Sequence, residues 1–191
     1  MYKLVTIEDT VAIPPTRMME DVKKVCWEII LENLSKKPYS ENVGIIILPL
    51  DVEPIGDGKI TFGDPNVYQR VRIKALVYSP ENKEVIDGFV THIIDRVGLI
   101  VNLGVVDGLL HVSQIYDDRF LFSKTEVKGE KTKYYVRIGD KVRVRIVSIS
   151  KNQSFTIPPL GIKDMRSLRP WRIGLSMRTP GLGKDEWRSS K

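Results

Sequence analysis

Apolar and polar residues alternate along "YKLVTIE" (2–8), and several are β-branched, so the opening segment is expected to be a strand. The prolines of "IPP" (13–15) end it, and Pro15 or Thr16 is placed to open the next element. From there Met18, Val22, Val25, Cys26, Ile29 and Leu34 recur at three- and four-residue steps. That spacing predicts an amphipathic helix with Glu20, Lys23, Lys24 and Glu32 on its charged face. After a polar connector, "GIIILPLDVEPI" (44–55) reads as an apolar strand ended by prolines. "GDGKITFGDP" (56–65) is a turn or hairpin loop. In "VYQRVRIKALVY" (67–78), Val71, Ile73 and Ala75 fall on one face and Arg70, Arg72 and Lys74 on the other, a strand with one wet side. The first half is thus expected to be an α+β unit.

"SPENKE" (79–84) is short and polar, and beyond it the pattern changes to strands alone. The expected division is therefore residues 1–80 and 81–191. "VIDGFVTHII" (85–94), "GLIVNL" (98–103), "GLLHV" (108–112), "KVRVRIVSI" (141–149) and "WRIGLSM" (171–177) suit a small all-β Greek-key barrel of the OB-fold type. In the fourth of these, Val142, Val144 and Ile146 face in, while Lys141, Arg143 and Arg145 point out together. Two stretches exceed what such a barrel needs. Segment 117–136 carries Phe120, Phe122, Tyr134 and Tyr135 among lysines; segment 150–171 carries basic residues and Trp171. Both read as candidate interaction surfaces.

Charge sharpens this division. The net charge is +6, yet residues 1–80 hold ten basic and eleven acidic residues, so the whole excess lies in the second half. That asymmetry suggests a near-neutral half for protein contacts and a basic half for a polyanion. The longest apolar run, "VGIIILPL" (43–50), is far short of the roughly 20 residues a membrane span needs, so no membrane is expected. No secretory signal opens the chain, and a cytoplasmic protein is the expectation. A single cysteine, Cys26, excludes an internal disulfide and a cysteine-based zinc cluster. It falls on the apolar stripe of the helix and reads as a packed thiol.

Five blocks of the second half, "GFVTHIID" (88–95), "GLIVNL" (98–103), "DGLLHVSQI" (107–115), "IGDKVRVRIVSI" (138–149) and "RIGLSM" (172–177), occur in an order that resembles the S1-type RNA-binding domain. Gly88 and Gly98 allow bends, and Gly108 allows close approach to a neighbouring strand. The resemblance implies nucleic acid on one face of the barrel, met by His111 and by basic residues, for which Arg96, Lys141, Arg143, Arg145 and Arg172 are the candidates. His92 has no counterpart and is expected to be structural. The family's aromatic pair is replaced here by Val97 and Ile100. Each aromatic stack is worth about 1–3 kcal/mol, so binding is expected to rest on phosphate charge.

The opening "MYKLVTIEDTVAIPP", joined to "DGFVTHIIDRVGLIVNLGVVDGLLHVSQI", extends the resemblance to the whole chain. It is similar to the Rpo7 family of archaeal DNA-directed RNA polymerase, the counterpart of the seventh subunit of eukaryotic RNA polymerase II. The resemblance implies a ribonucleoprotein-like N-terminal domain docking on the polymerase core, a pairing with the small helical polymerase subunit Rpo4 to form a stalk, and single-stranded RNA passing over the S1-type barrel. It implies a non-catalytic subunit without cofactor in a nucleotidyltransferase complex. The residues agree, since the chain has no Asp-x-Asp-x-Asp run for two metal ions, no phosphate loop and no triad. Loop residues Gly56, Asp57, Gly58 and Lys59 are the candidates for core docking, against an ordinary hairpin tip. A translation or RNA-decay factor is the rival reading; such factors lack this N-terminal domain. A nuclease is a third, disfavoured by the missing acidic cluster.

Overall fold

Strand β1 runs from Tyr2 to Ile13, well past the alternation that ends at Glu8. It continues because Val11 and Ile13 find a buried place against the same sheet. The structure, a computed structural model, describes residues 1–36, 39–40, 43–151 and 170–188. These divide into two compact units between Ser79 and Pro80.

The predicted helix starts later than the prolines suggest. Pro15–Arg17 is a single 3-10 turn, and α1 spans Val22–Lys36. The Asp21 carboxylate accepts the backbone N–H of Lys24 at 2.9 Å, an N-cap that fixes the start. Met18 and Val22, expected on the buried stripe, are exposed; Val25, Cys26 and Ile30 are the buried positions. Burial pushes the Cys26 thiol above its usual range, as suits a packed rather than a reactive group.

Beyond α1 come β2 (Tyr39–Ser40), β3 (Gly44–Pro54), β4 (Lys59–Ile60) and β5 (Val67–Tyr78). β5 is central: β1 pairs antiparallel along its full length on one edge, while β3 and β4 share the other. The predicted alternation holds, with Val71, Ile73 and Ala75 in a core shared with Val52, Val25 and Cys26. On the opposite face, Glu8 bridges Arg70 and Arg72 at 3.0 Å each.

The second unit is the expected barrel. β6 (Val85–Ile94), β7 (Gly98–Asn102), β8 (Asp107–His111), β12 (Lys141–Lys151) and β13 (Trp171–Ser176) close in the order β12-β13-β8-β7-β6. β13 lies parallel to β8, and the other pairings are antiparallel. Val90, Leu99, Val101, Leu110, Val142, Val144, Ile146 and Leu175 fill the interior. Two glycines are required by close approach. A Cβ on Gly108 would lie 2.6 Å from Leu175 Cδ1, and one on Gly98 would lie 2.9 Å from the His111 Cα.

Segment 117–136 folds into most of a three-stranded sheet of β9 (Phe120–Phe122), β10 (Glu126–Gly129) and β11 (Tyr135–Arg137). The Asp118 carboxylate ties its ends, accepting backbone N–H groups from Arg119, Lys131 and Thr132. Tyr134 and Tyr135 are not a free surface. Tyr134 stacks on Trp187 of the short helix α2 (Asp185–Arg188), at 4.7 Å between ring centres, and the Lys184 ammonium sits 4.3 Å above the Tyr135 ring. Of the second candidate stretch, residues 152–169 lie outside the described residues, and Trp171 opens β13.

Candidate nucleic-acid interface

Directly opposed residues of an antiparallel pair point to the same face. Along β6 and β12 the register sets Val85 against Arg145, Asp87 against Arg143 and Phe89 against Lys141, all on the outside of the barrel. Across β7 and β8 the outer rows continue as His92–Ile100–Leu109 and Ile94–Gly98–His111. The outer face is therefore a strip of exposed apolar and ring side chains, with cations at both ends.

The cations are not equivalent. Asp87 accepts from Arg143 Nε at 2.6 Å and Nη2 at 3.1 Å, and Lys141 Nζ lies 3.1 Å from the same carboxylate. The Arg143 guanidinium, with Lys141 beside it, holds the Asp87 carboxyl at about 2 against the opposing effect of burial. Two of the three cations of the expected basic stripe are thus already paired. Arg145 has no ion-pair partner among the described residues. Arg96 sits in the turn between β6 and β7 with a left-handed backbone (φ 58°); its side chain is 91% exposed, 3.7 Å from Asp95. Arg172 is exposed on β13, whose Gly174 pairs with Leu109 of β8, so it shares the outer face one strand beyond β8.

His111 ends β8 and caps the 3-10 turn Val112–Gln114. Its Nδ1 accepts the Ser113 N–H at 3.3 Å and lies 2.8 Å from Ser113 Oγ. In the neutral ring this assigns the proton to Nε2, leaving a donor on an exposed side chain. One nitrogen of His111 thus serves the turn, and the other faces outward.

Sequence reasoning passes over two groups here. His92, expected to be structural, is exposed and makes no side-chain hydrogen bond among the described residues. Phe89, unremarkable in the sequence, is 55% exposed beside Lys141.

In the first unit, the loop carrying Gly56, Asp57, Gly58 and Lys59 is anchored at both ends. The buried Gln69 amide donates to the carbonyls of Ile55 and Gly56 at 3.1 Å, and the Tyr68 hydroxyl donates to Asp64. Between the anchors Ile60 is 76% exposed and Phe62 wholly so. Gly58 also borders a cleft of about 260 Å³ lined by Ile13, Met18, Val22 and Val67.

Comparison with known proteins fits this layout. Residues 8–65 match the family model described as the SHS2 domain found in the N terminus of Rpb7p/Rpc25p/MJ0397, and residues 79–155 match the S1 RNA binding domain. These two matches define the class: an SHS2 domain joined to an S1 barrel. The chain is 33% identical to DNA-directed RNA polymerase subunit Rpo7 of Saccharolobus shibatae, over 98% of this chain and 97% of that one. With the Rpo7 of Sulfolobus acidocaldarius the identity is 36%, over 98% and 94%. With DNA-directed RNA polymerase III subunit rpc8 of Schizosaccharomyces pombe it is 24%, over 98% and 99%. The chain belongs to the Rpo7 family, whose members are subunits of DNA-directed RNA polymerase and are non-catalytic by themselves.

Proposed function

We propose that this protein works in the cytoplasm as half of a polymerase stalk, pairing with Rpo4, docking its first unit on the polymerase core and holding emerging single-stranded RNA on the barrel. The observation that carries the RNA part is the exposed outer strip of β6–β8, with Arg145 at one end and Arg96 and His111 at the other. Core docking is supported by the anchored loop 56–66, whose tip exposes Ile60 and Phe62 more fully than any solvated loop requires. Pairing with Rpo4 is supported by the sheet face opposite α1, where Tyr2, Leu4 and Leu48 are 50%, 62% and 48% exposed. The rival reading, a translation or RNA-decay factor, loses ground because residues 8–65 match an SHS2 domain of polymerase subunits.

Reconstitution tests the whole reading. The chain, co-expressed with Rpo4, should elute as one complex with a raised melting temperature, because a partner that binds only the folded form stabilises it. Added to a core enzyme lacking both proteins, that complex should co-elute with it, and Phe62→Asp should abolish co-elution with the core while leaving the pair intact. A Phe62→Asp complex that still joins the core removes the docking loop from the proposal.

A further inference from the structure

Strand β6 is irregular where it crosses the outer face. Phe89 pairs with Asn102 and Val90 with Val101, but the next pair is His92 with Ile100. Thr91 is the additional residue, and its hydroxyl donates to the Ile100 carbonyl at 3.2 Å. A bulge of one residue resets the alternation of side chains. Phe89 and His92, three positions apart and expected on opposite faces, therefore share the outside of the barrel.

Neither ring is used by the fold. Phe89 is 55% exposed and His92 is exposed, and neither makes a ring contact or side-chain hydrogen bond among the described residues. The bulge sets them opposite Asn102 and Ile100, two residues apart on β7, so at about 3.3 Å per residue they stand roughly 7 Å apart, which leaves a flat group room against each. The surroundings select the ligand. Lys141 stands opposite Phe89, Arg145 is two rows further along, and Arg96 lies past the other end of the strand. Rings between cations fit a chain of flat bases on a phosphate backbone.

We propose that Phe89 and His92 are the base-stacking platforms of this barrel, accepting bases of single-stranded RNA in place of the aromatic pair that Val97 and Ile100 lack. The rings have moved from the second barrel strand to the first, and the Thr91 bulge sets both on the binding face. This inference rests on the RNA-binding reading above and adds a base-dependent component to its charge-driven one.

The test uses the full chain, a short oligouridine and an abasic oligomer of the same length and charge. Phe89→Leu keeps apolar bulk at an exposed site and removes the ring; His92→Ala removes the second platform. Each should weaken oligouridine binding by about 5- to 150-fold, the range of one lost stack, while leaving the abasic oligomer unaffected. Phe89→Trp should hold or tighten binding and should show added fluorescence quenching on titration. Equal affinity of the parent and Phe89→Leu for oligouridine, with Arg145→Ala still weakening it, overturns the stacking role and leaves the RNA reading standing. Equal losses for both oligomers overturn it too, since stacking needs a base. A parent chain that binds neither oligomer removes both.

Discussion

Asp87 on β6 grips Arg143 on β12 with both carboxylate oxygens, at 2.6 and 3.1 Å, and draws Lys141 to within 3.1 Å of the same group. Such partly exposed ion pairs add only modestly to stability. Their main effect is on the field of the outer face, where one carboxylate occupies two cations that could meet phosphate. Asp87→Asn is therefore expected to raise RNA affinity and to steepen its salt dependence by about 0.7 in log–log slope for each further phosphate neutralised. Titrations at several salt concentrations read this directly, and an unchanged slope means that Arg143 and Lys141 never reach the backbone. Arg145→Ala should weaken binding to all sequences alike.

The same carboxylate makes the barrel sensitive to acid. Asp87 and Asp118 both titrate at about 2 in the folded protein, Asp87 chiefly through the Arg143 hydrogen bond and Asp118 chiefly through the Thr132 N–H. Both values lie below the ordinary carboxylate pKa of about 3.9, so folding favours the charged forms. Their stabilisation is complete above pH ~4 and is lost as the pH falls from there through about 2. Melting temperatures should drop across that window, and Asp118→Asn, which gives up the ionised acceptor, should lower stability at neutral pH and flatten the acid limb. An acid limb as steep in the Asp87→Asn, Asp118→Asn double variant as in the parent would assign the effect to other groups.

His111 offers a way to separate fold from contact. Its Nδ1 caps the turn after β8, and asparagine is a good capping residue. His111→Asn should keep the melting temperature near that of the parent while losing the Nε2 donor, so any drop in RNA affinity belongs to contact. His111→Ala should also lose the cap, at about 0.5–2 kcal/mol. If both variants bind RNA like the parent, the histidine serves only its turn.

Lys184 is a buried cation, 2.9 Å from Asp140 and above the Tyr135 ring. Lys184→Met keeps length and apolar bulk but leaves the carboxylate without its countercharge, a loss of about 1–3 kcal/mol. The neighbouring Trp187–Tyr134 stack should loosen with it. Faster limited proteolysis within residues 177–188, at unchanged far-ultraviolet circular dichroism, is the expected sign.

The barrel is legible in the sequence because its strands obey a period of two: Val142, Val144 and Ile146 are buried and Arg143 and Arg145 point out. The helix start is harder to place because prolines and an N-cap compete, and Asp21 prevails by satisfying the Lys24 N–H. Two features of the interface are hidden for a different reason. Asp87 faces Arg143 only through the register of strands more than fifty residues apart in sequence, and the face of His92 depends on one extra residue that alternation cannot reveal. The loop 56–66 is visible from its glycines, but the exposure of Phe62 depends on anchors at Gln69 and Tyr68.

Because β13 is inserted between β8 and β12, the two units mature on different schedules as the chain is made. Every strand of the first sheet has been synthesised once Tyr78 is added. β8, in contrast, must wait through residues 112–170 for its partner, several seconds at about 5–20 residues per second. During that interval an apolar strand ending in His111 presents a bare edge, the condition that invites pairing with another nascent chain. Slow translation between Val112 and Pro170 should therefore lower the yield of soluble protein more than the same delay before Tyr78.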